Sequence, residues 1–431
     1  MKFTVCGDIT PLRRIPVGYE GFDEVRDYIC KGDFKFCNLE TTVHRGEHFA
    51  SQFSGGSYLR SDPEALEDIK EYGFNVLTAA NNHSMDFSYG GLISTKKAVE
   101  AMGFAHSGIG LNLDEAAAPC YVTTKNGRAA LISATSTMGS TEAAIAGKQS
   151  RRYVGRPGVN GLRFDEHIEV TADLFEAVRE ISEKSNINAQ RNIERREGYW
   201  TSPADDAIEL GKLQFKLGDK TKYVTHPNKC DMDRVIKSIK EAEYQADYIL
   251  VSIHSHEISG DSKEQPAEFL VEFAHRCIDE GADAVIGHGP HLLRPIEIYK
   301  GKPIFYSLGD FIIHNECLEY APEDMYQQKG LTSDETMREF YRLRSKDFTR
   351  GLMRDNKMLE SVIPLFEFEG DKLVKLELMP IELNFNPEKH YKSGDPRFSK
   401  NHGIIERLRD MSAPYGTKIT IDDRGYGIVE F

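Results

Sequence analysis

No apolar run in this sequence approaches the roughly 20 residues that a membrane-crossing helix needs. No basic start, apolar stretch and small-residue cleavage pattern opens it. Residues 2–6 read at once as a strand, which predicts a chain without leader or anchor. Positive charge is in deficit: 54 Lys and Arg against 68 Asp and Glu give a formal net charge of −14. That argues against nucleic acid or an anionic membrane as the partner, since both need a basic surface. Paired cysteines are also missing. The seven (Cys6, Cys30, Cys37, Cys120, Cys230, Cys277 and Cys317) are scattered, odd in number and never C-x-x-C. Neither a disulfide framework nor a thiolate zinc site is expected, and reduced thiols in the cytoplasm fit. No internal repeat or low-complexity tract interrupts the chain.

What is present is a globular composition. Of 431 residues, 40% are hydrophobic and 28% charged, ample for a core. Length allows two or three domains, or one large α/β domain with insertions. The first half alternates strand and helix. Strands are predicted over 2–6, 34–37 and 74–78, and helices over 22–30 and 89–102. Another helix opens at Asp62-Pro63, with Asp62 as its cap, and runs to Tyr72. Asn126-Gly127 predicts a hairpin between 121–124 and 129–133. Later come helices over 232–245 and 266–280 and a strand over 247–253. The alternation predicts a layered α/β fold with helices on the sheet faces. In such folds ligands sit at the carboxyl ends of strands.

Polar residues suited to metal fall at those ends. Asp8, Glu40, Asn82-His83, His254-x-His256-Glu257 and His288-x-x-His291 each follow an apolar run. In the last of these, Gly289-Pro290 breaks the backbone, so that both rings can turn toward one point. The stretch continues through Glu297 to Asp310. Carboxylates, an Asn oxygen and imidazoles make a mixed oxygen and nitrogen shell. It suits Mn, Zn, Fe or Co better than Ca or Mg. His83 is the candidate general acid or base. Asp86 either orients it or caps the helix that follows. His256 and Glu257 are extra ligands, an acid/base pair, or a loop pair facing water. Glu297 is expected as a hydrogen-bond partner of a ligand.

Two stretches interrupt the pattern. Residues 138–228 read as an insertion, either a lid near the site or a solvated excursion. Arg151, Arg152 and Arg156 within it could grip a carboxylate or phosphate, or simply be solvated. Residues 316–359 form a second insertion, rich in Arg and Lys. A hairpin across Gly370-Asp371 follows, then a helix over 403–410 and a final hairpin.

The segments FTVCGD, FCNLETTV, LTAANNHSMDFSYGGL, YILVSIHSHE and VIGHGPHLLRPIEIYKGKPIFYSLGDF occur in the order seen in CapA-type proteins, the poly-γ-glutamate capsule synthesis proteins and their relatives. These resemble the calcineurin-like metallophosphoesterases. The resemblance implies an α/β fold, a four-layer α-β-β-α sandwich with metal at the strand ends. It implies Asp8, Glu40, Asn82, His254, His288 and His291 as ligands of one or two divalent transition ions, with His83 as acid. Against the phosphoesterase pattern, Thr10 replaces a histidine, Glu40 replaces an aspartate, and the last histidine pair is one residue wider. Against the CapA pattern, His256 and Asp310 stand where Gly and Asn are usual. The domain expected is 1–385 with insertions at about 138–228 and 316–359, and 386–431 forms a helix and hairpin extension. The expected function is metal-dependent hydrolysis of an amide or ester in a small acidic or peptide-like substrate. The alternatives are peptide epimerisation at Cα and a non-catalytic accessory role in capsule synthesis. Oligomeric state is not legible.

Overall fold

The computed structural model describes residues 1–431 apart from 17, 202–205, 352–353 and 387–391. The fold is mixed α/β, with two large sheets. In the ten-stranded sheet, Lys2–Thr10 is central. It pairs in parallel with Phe34–Leu39, which continues to Val76–Thr78 and Ala105–Ser107. On its other side its first half pairs antiparallel with Glu360–Glu369 and its last residues pair parallel with Asp310–Ile313. Lys372–Leu383 and the terminal hairpin Lys418–Ile421/Gly427–Glu430 extend that edge. The six-stranded sheet runs Ile296–Tyr299, Lys302–Phe305, Ala284–His288, Tyr248–His254, Gly127–Thr135, Cys120–Thr124.

The period of two along each strand explains the layering. Phe3, Val5, Phe36 and Val76 of the large sheet meet Leu131, Leu250, Ile286 and Phe305 of the smaller one in a shared core. Ile249, Val251 and Ile253 face the other way, onto helices Lys229–Ala242 and Glu268–Asp279. The outer face of the large sheet packs on helices Phe22–Ile29 and Ala65–Glu71. At the strand ends the inner positions turn polar. Asn38 follows Phe36 by two, Ser252 and His254 follow Leu250, and His288 follows Ile286. All four are completely buried.

The chain changes sheet between Phe305 and Asp310. Gly309 takes φ 73°, and a Cβ on Gly7 would lie 1.8 Å from its carbonyl oxygen. Two glycines therefore let the crossing segment lie against the first strand.

Some local expectations change. Asp62 does not cap its helix, because its carboxylate takes Arg60 and the helix begins at Ala65 without a side-chain cap. The 138–228 insertion builds a four-stranded sheet (Phe164–Val170, Ala207–Leu210, Leu213–Leu217, Lys222–Pro227) over its own small core of Val170, Phe175 and Phe215. Its polar stretch after 186 is the helix Ala189–Arg196, tied down by Arg191 and Arg195 on Glu209. From Phe164 onward it is no lid. It docks on the outer helix Glu268–Asp279, where Phe164 stacks on Phe269 at 4.5 Å and Thr225 accepts from the Phe269 N–H. The 316–359 insertion is the one beside the strand ends. Its helices Glu323–Gln327 and Met337–Arg344 bury Met325, Met337, Phe340 and Tyr341 against Tyr58. Residues 387–391, at the start of the expected C-terminal extension, lie outside the described residues. Cys6, Cys30, Cys37, Cys120, Cys230 and Cys277 are free thiols. Among the described residues no helix is long and apolar enough to cross a membrane.

Candidate metal centre

Three groups of ligand atoms, each within 4.8 Å of one another, merge at the strand ends: Asp8/His254/His288, Glu40/His254/His256, and Asp8/Glu40/His291/Asp310. Asp8 accepts from Asn38 Nδ2 at 2.6 Å and from the Gly289 N–H at 2.8 Å. Gly289 reaches it with φ 123°, a conformation that favours glycine. Burial alone pushes the Asp8 carboxyl up, but His254 and His288 outweigh it and hold Asp8 well below the usual carboxylate range. His254 and His288 face each other across paired strands with their Nδ1 atoms 3.0 Å apart, and Ser252 holds the other nitrogen of His288 at 2.7 Å. His254 Nε2 lies 3.1 Å from His256 Nε2. Burial depresses His254 to about 4 and lowers His256 well below its ordinary value. Neutral imidazoles with converging nitrogens are what a metal ion requires.

The oxygens test the fit to a metal directly. Among the described residues, both Glu40 oxygens, Asn82 Oδ1 and Asp310 Oδ2 are buried without a hydrogen-bond partner. Asn82 spends only its Nδ2, on the Gly55 carbonyl at 2.9 Å. Orphaned buried oxygens are costly. The Glu40 oxygens lie among the depressed imidazoles of His254 and His256, and those of Asp310 beside Asp8 and Glu40. A cation satisfies such oxygens, so the residues present fit a divalent metal. Burial, then Asp8, pushes Glu40 well above the usual carboxylate range, as expected where negative charges crowd without a cation. His291 sits in the left-handed region at φ 61°, with Nδ1 2.9 Å from Asp310 Oδ1. Burial opposes its protonation, but Asp310 and Glu40 carry it to about 10. The oxygen donors Asp8, Glu40, Asn82 and Asp310 all come from the ten-stranded sheet and its loops. The nitrogen donors His254, His256, His288 and His291 come from the six-stranded one.

His83 stands beside this centre, with Nε2 3.9 Å from Glu40 Oε1. Its Nδ1 lies 2.7 Å from Asp86 Oδ2, and Asp86 also accepts from the Gly55 and Leu59 N–H groups. Asp86 therefore orients His83. It does not cap the next helix, whose start at Ser88 has no side-chain cap. A carboxylate on Nδ1 fixes the tautomer and leaves Nε2 to face the centre.

Other expected residues are placed elsewhere. Glu257 accepts from Ser136, Thr137 and Ser255 hydroxyls and joins none of the ligand groups, so it is not the acid/base partner of His256. Glu297 turns outward, where His275 of the outer helix and the Tyr306 hydroxyl bond it, and is no partner of a ligand. Arg151 and Arg152 are exposed on the surface and grip nothing at the centre. Four residues that sequence reasoning passed over also shape the site. Asn38 and Asn81 chain the Asp8 carboxylate to the His83 backbone. Arg294, fully buried, donates to the carbonyls of Ser255, His256, Glu257 and Lys263 and so holds the His256 loop. Its signal was a lone guanidinium inside the apolar run Leu292-Leu293-x-Pro295-Ile296. Arg344 reaches in from the second insertion.

Fold and centre together define an α/β protein with a buried, metal-type cluster at the meeting strand ends of two sheets. The family described as bacterial capsule synthesis protein PGA_cap matches residues 2–315, and the chain belongs to that family. An uncharacterized protein, y4sH, of Sinorhizobium fredii (strain NBRC 101917 / NGR234) is 31% identical over 97% of this chain and 90% of its own length. The PGA biosynthesis protein CapA of Bacillus subtilis (strain 168) is 24% identical over 68% of this chain and 57% of its own. A probable polyglutamine synthesis accessory protein of Mycobacterium tuberculosis (strain CDC 1551 / Oshkosh) is 29% identical over 65% and 55%.

Proposed function

We propose that this CapA-type chain is a metal-dependent enzyme hydrolysing an amide or ester bond of an acidic or peptide-like substrate. Its fold is read as the four-layer sandwich of the calcineurin-like phosphoesterases, and its cofactor as one or two ions of Mn, Zn, Fe or Co. The carrying observation is the His83–Asp86 pair, whose other nitrogen looks onto Glu40, a buried carboxyl with no hydrogen-bond partner among the described residues. Asp8, Glu40, Asn82, His254, His256 and His288 would hold the ion, which would supply a Lewis acid for a carbonyl and for water. His83 Nε2 passes a proton to the leaving nitrogen or oxygen, and Asp86 stabilises the charge that the imidazole carries in its protonated form. Asp8 and Glu40 supply negative charge, and His254 and His256, whose protonation burial opposes, stay neutral. The test pairs elemental analysis with turnover of acylated glutamyl peptides by wild type and His83→Ala. Metal retained with turnover lost supports the reading, and full turnover by the variant sinks it.

A second reading, epimerisation at Cα, draws on one observation. His83 and His291 line the same small cavity, and each is held by a carboxylate. One could take a proton from a carbon while the other returns one. Solvent deuterium entering an uncleaved peptide favours this reading over hydrolysis. The names of the capsule relatives bring a third reading, an accessory role in poly-γ-glutamate synthesis. It leads if purified protein binds no metal.

A further inference from the structure

A cavity of about 100 Å³ opens onto the centre, lined by Thr10, Gly55, Ser57, His83, His291 and Arg344 among others. It is too small for a whole substrate and takes one small group. Arg344 ends the helix Met337–Arg344, whose buried face shares a core with Tyr58, so the arginine is carried on the element that packs against the loop bearing Gly55 and Ser57. That loop is tied in turn to the centre, because Gly55 donates to Asp86 and accepts from Asn82. The Arg344 guanidinium lies 5.7 Å over the Tyr341 ring and donates to Ser57 Oγ at 3.2 Å. Among the described residues no carboxylate pairs with it, whereas Arg342 on the same helix pairs with Glu339. Below it the centre holds Asp8, Glu40 and Asp310, and the chain as a whole carries −14. An anionic substrate needs a local cation to settle there, and a guanidinium with spare donors matches a carboxylate bidentately.

We propose that Arg344 selects the substrate by receiving one of its carboxylates at the cavity mouth, with the Ser57 hydroxyl beside it, so that the neighbouring bond lies over the centre. This rests on the reading that the centre acts on an acidic, peptide-like molecule, and it names how that acidity is recognised. The test is calorimetric titration of the metal-loaded full chain with an acetylated glutamyl dipeptide and with its fully amidated counterpart. Arg344→Met is expected to weaken the acidic peptide at least about tenfold and to leave the amidated one unchanged, with Arg344→Lys regaining part of the loss. Unchanged metal content and melting temperature separate this from misfolding. Equal binding of the acidic peptide by Arg344→Met overturns the proposal, as does a wild type that does not prefer carboxylate to amide. Arg344-dependent binding without bond cleavage leaves this proposal standing and removes the hydrolytic one.

Discussion

Replacing Glu40 by glutamine is expected to move the melting temperature in opposite directions with and without metal. In the stripped protein, Glu40 is fully buried, has no hydrogen-bond partner among the described residues for either oxygen, and shares its space with Asp8 and Asp310. A neutral amide replaces a carboxyl that this crowding already pushes toward its protonated form, and brings two donors toward oxygens that lack them. Relief of one unsatisfied buried group stabilises by about 1–2 kcal/mol. In the loaded protein the same change weakens a ligand. Metal at about 1,000 times its dissociation constant adds about 4 kcal/mol, and a hundredfold loss of affinity removes about 2.7 kcal/mol of it. Unfolding entropy of about 2.1 cal/mol/K per residue makes 1 kcal/mol worth about 1 °C for this chain. Stripped Glu40→Gln should therefore melt about 1–2 °C above stripped wild type, and loaded Glu40→Gln, which keeps that gain but loses the larger binding contribution, about 1–2 °C below loaded wild type. Differential scanning calorimetry on chelator-treated and Mn- or Zn-reloaded samples reads all four values. A variant that melts lower by the same amount in both states would refute the argument, because Glu40 would then be a structural carboxylate rather than a ligand.

Asp86→Asn leaves the shape of the His83 pair but removes its charge, so turnover of an accepted substrate should fall about 10–100-fold with metal content unchanged; a loss of metal instead would place Asp86 among the ligands. Asp231 is buried and accepts from the Arg163 backbone and guanidinium and from Arg234. Burial raises its carboxyl, but the two arginines outweigh this and leave it below its ordinary value. Its stabilisation is therefore complete above the unfolded carboxylate pKa and is lost as pH falls through the lower folded one. Asp231→Asn should cost about 3 kcal/mol near neutrality and flatten the acid limb of a urea-unfolding series against pH. Gly7→Ala puts a methyl 1.8 Å from the Gly309 carbonyl oxygen. It should cost at least about 3 kcal/mol, or prevent folding, with soluble yield and melting as the readouts.

The strand ends were legible because an apolar run that stops at a carboxylate or imidazole is a local pattern. Asp8, Glu40, Asn82, His254 and His288 could all be picked out, and the structure brings them into one place. Residues whose role depends on what the other face of their element meets were harder. Glu297 sits on an edge strand, and its alternation does not say that it looks outward to His275 rather than inward. Asp86 had two local explanations, and the choice between them was made by the Gly55 and Leu59 backbone, some 30 residues earlier. Arg344 lies more than 250 residues from His83 in sequence, so no spacing could join them. The strands of the first insertion escaped because Phe164–Val170 is only half covered and alternates weakly.

The division of donors between the sheets has a consequence for how metal preference can change. Oxygens sit on one slab and nitrogens on the other, so the bite of the ligand set is set by the gap between slabs. That gap is filled by side chains such as Phe36, whose ring lies 6.2 Å from that of His288. Core volume is in this sense a caliper. Trimming or enlarging a residue that touches no ion shifts all the oxygens against all the nitrogens together. On the reading that the cluster holds a metal, ions of different radius would then be favoured with every one of these residues left in place.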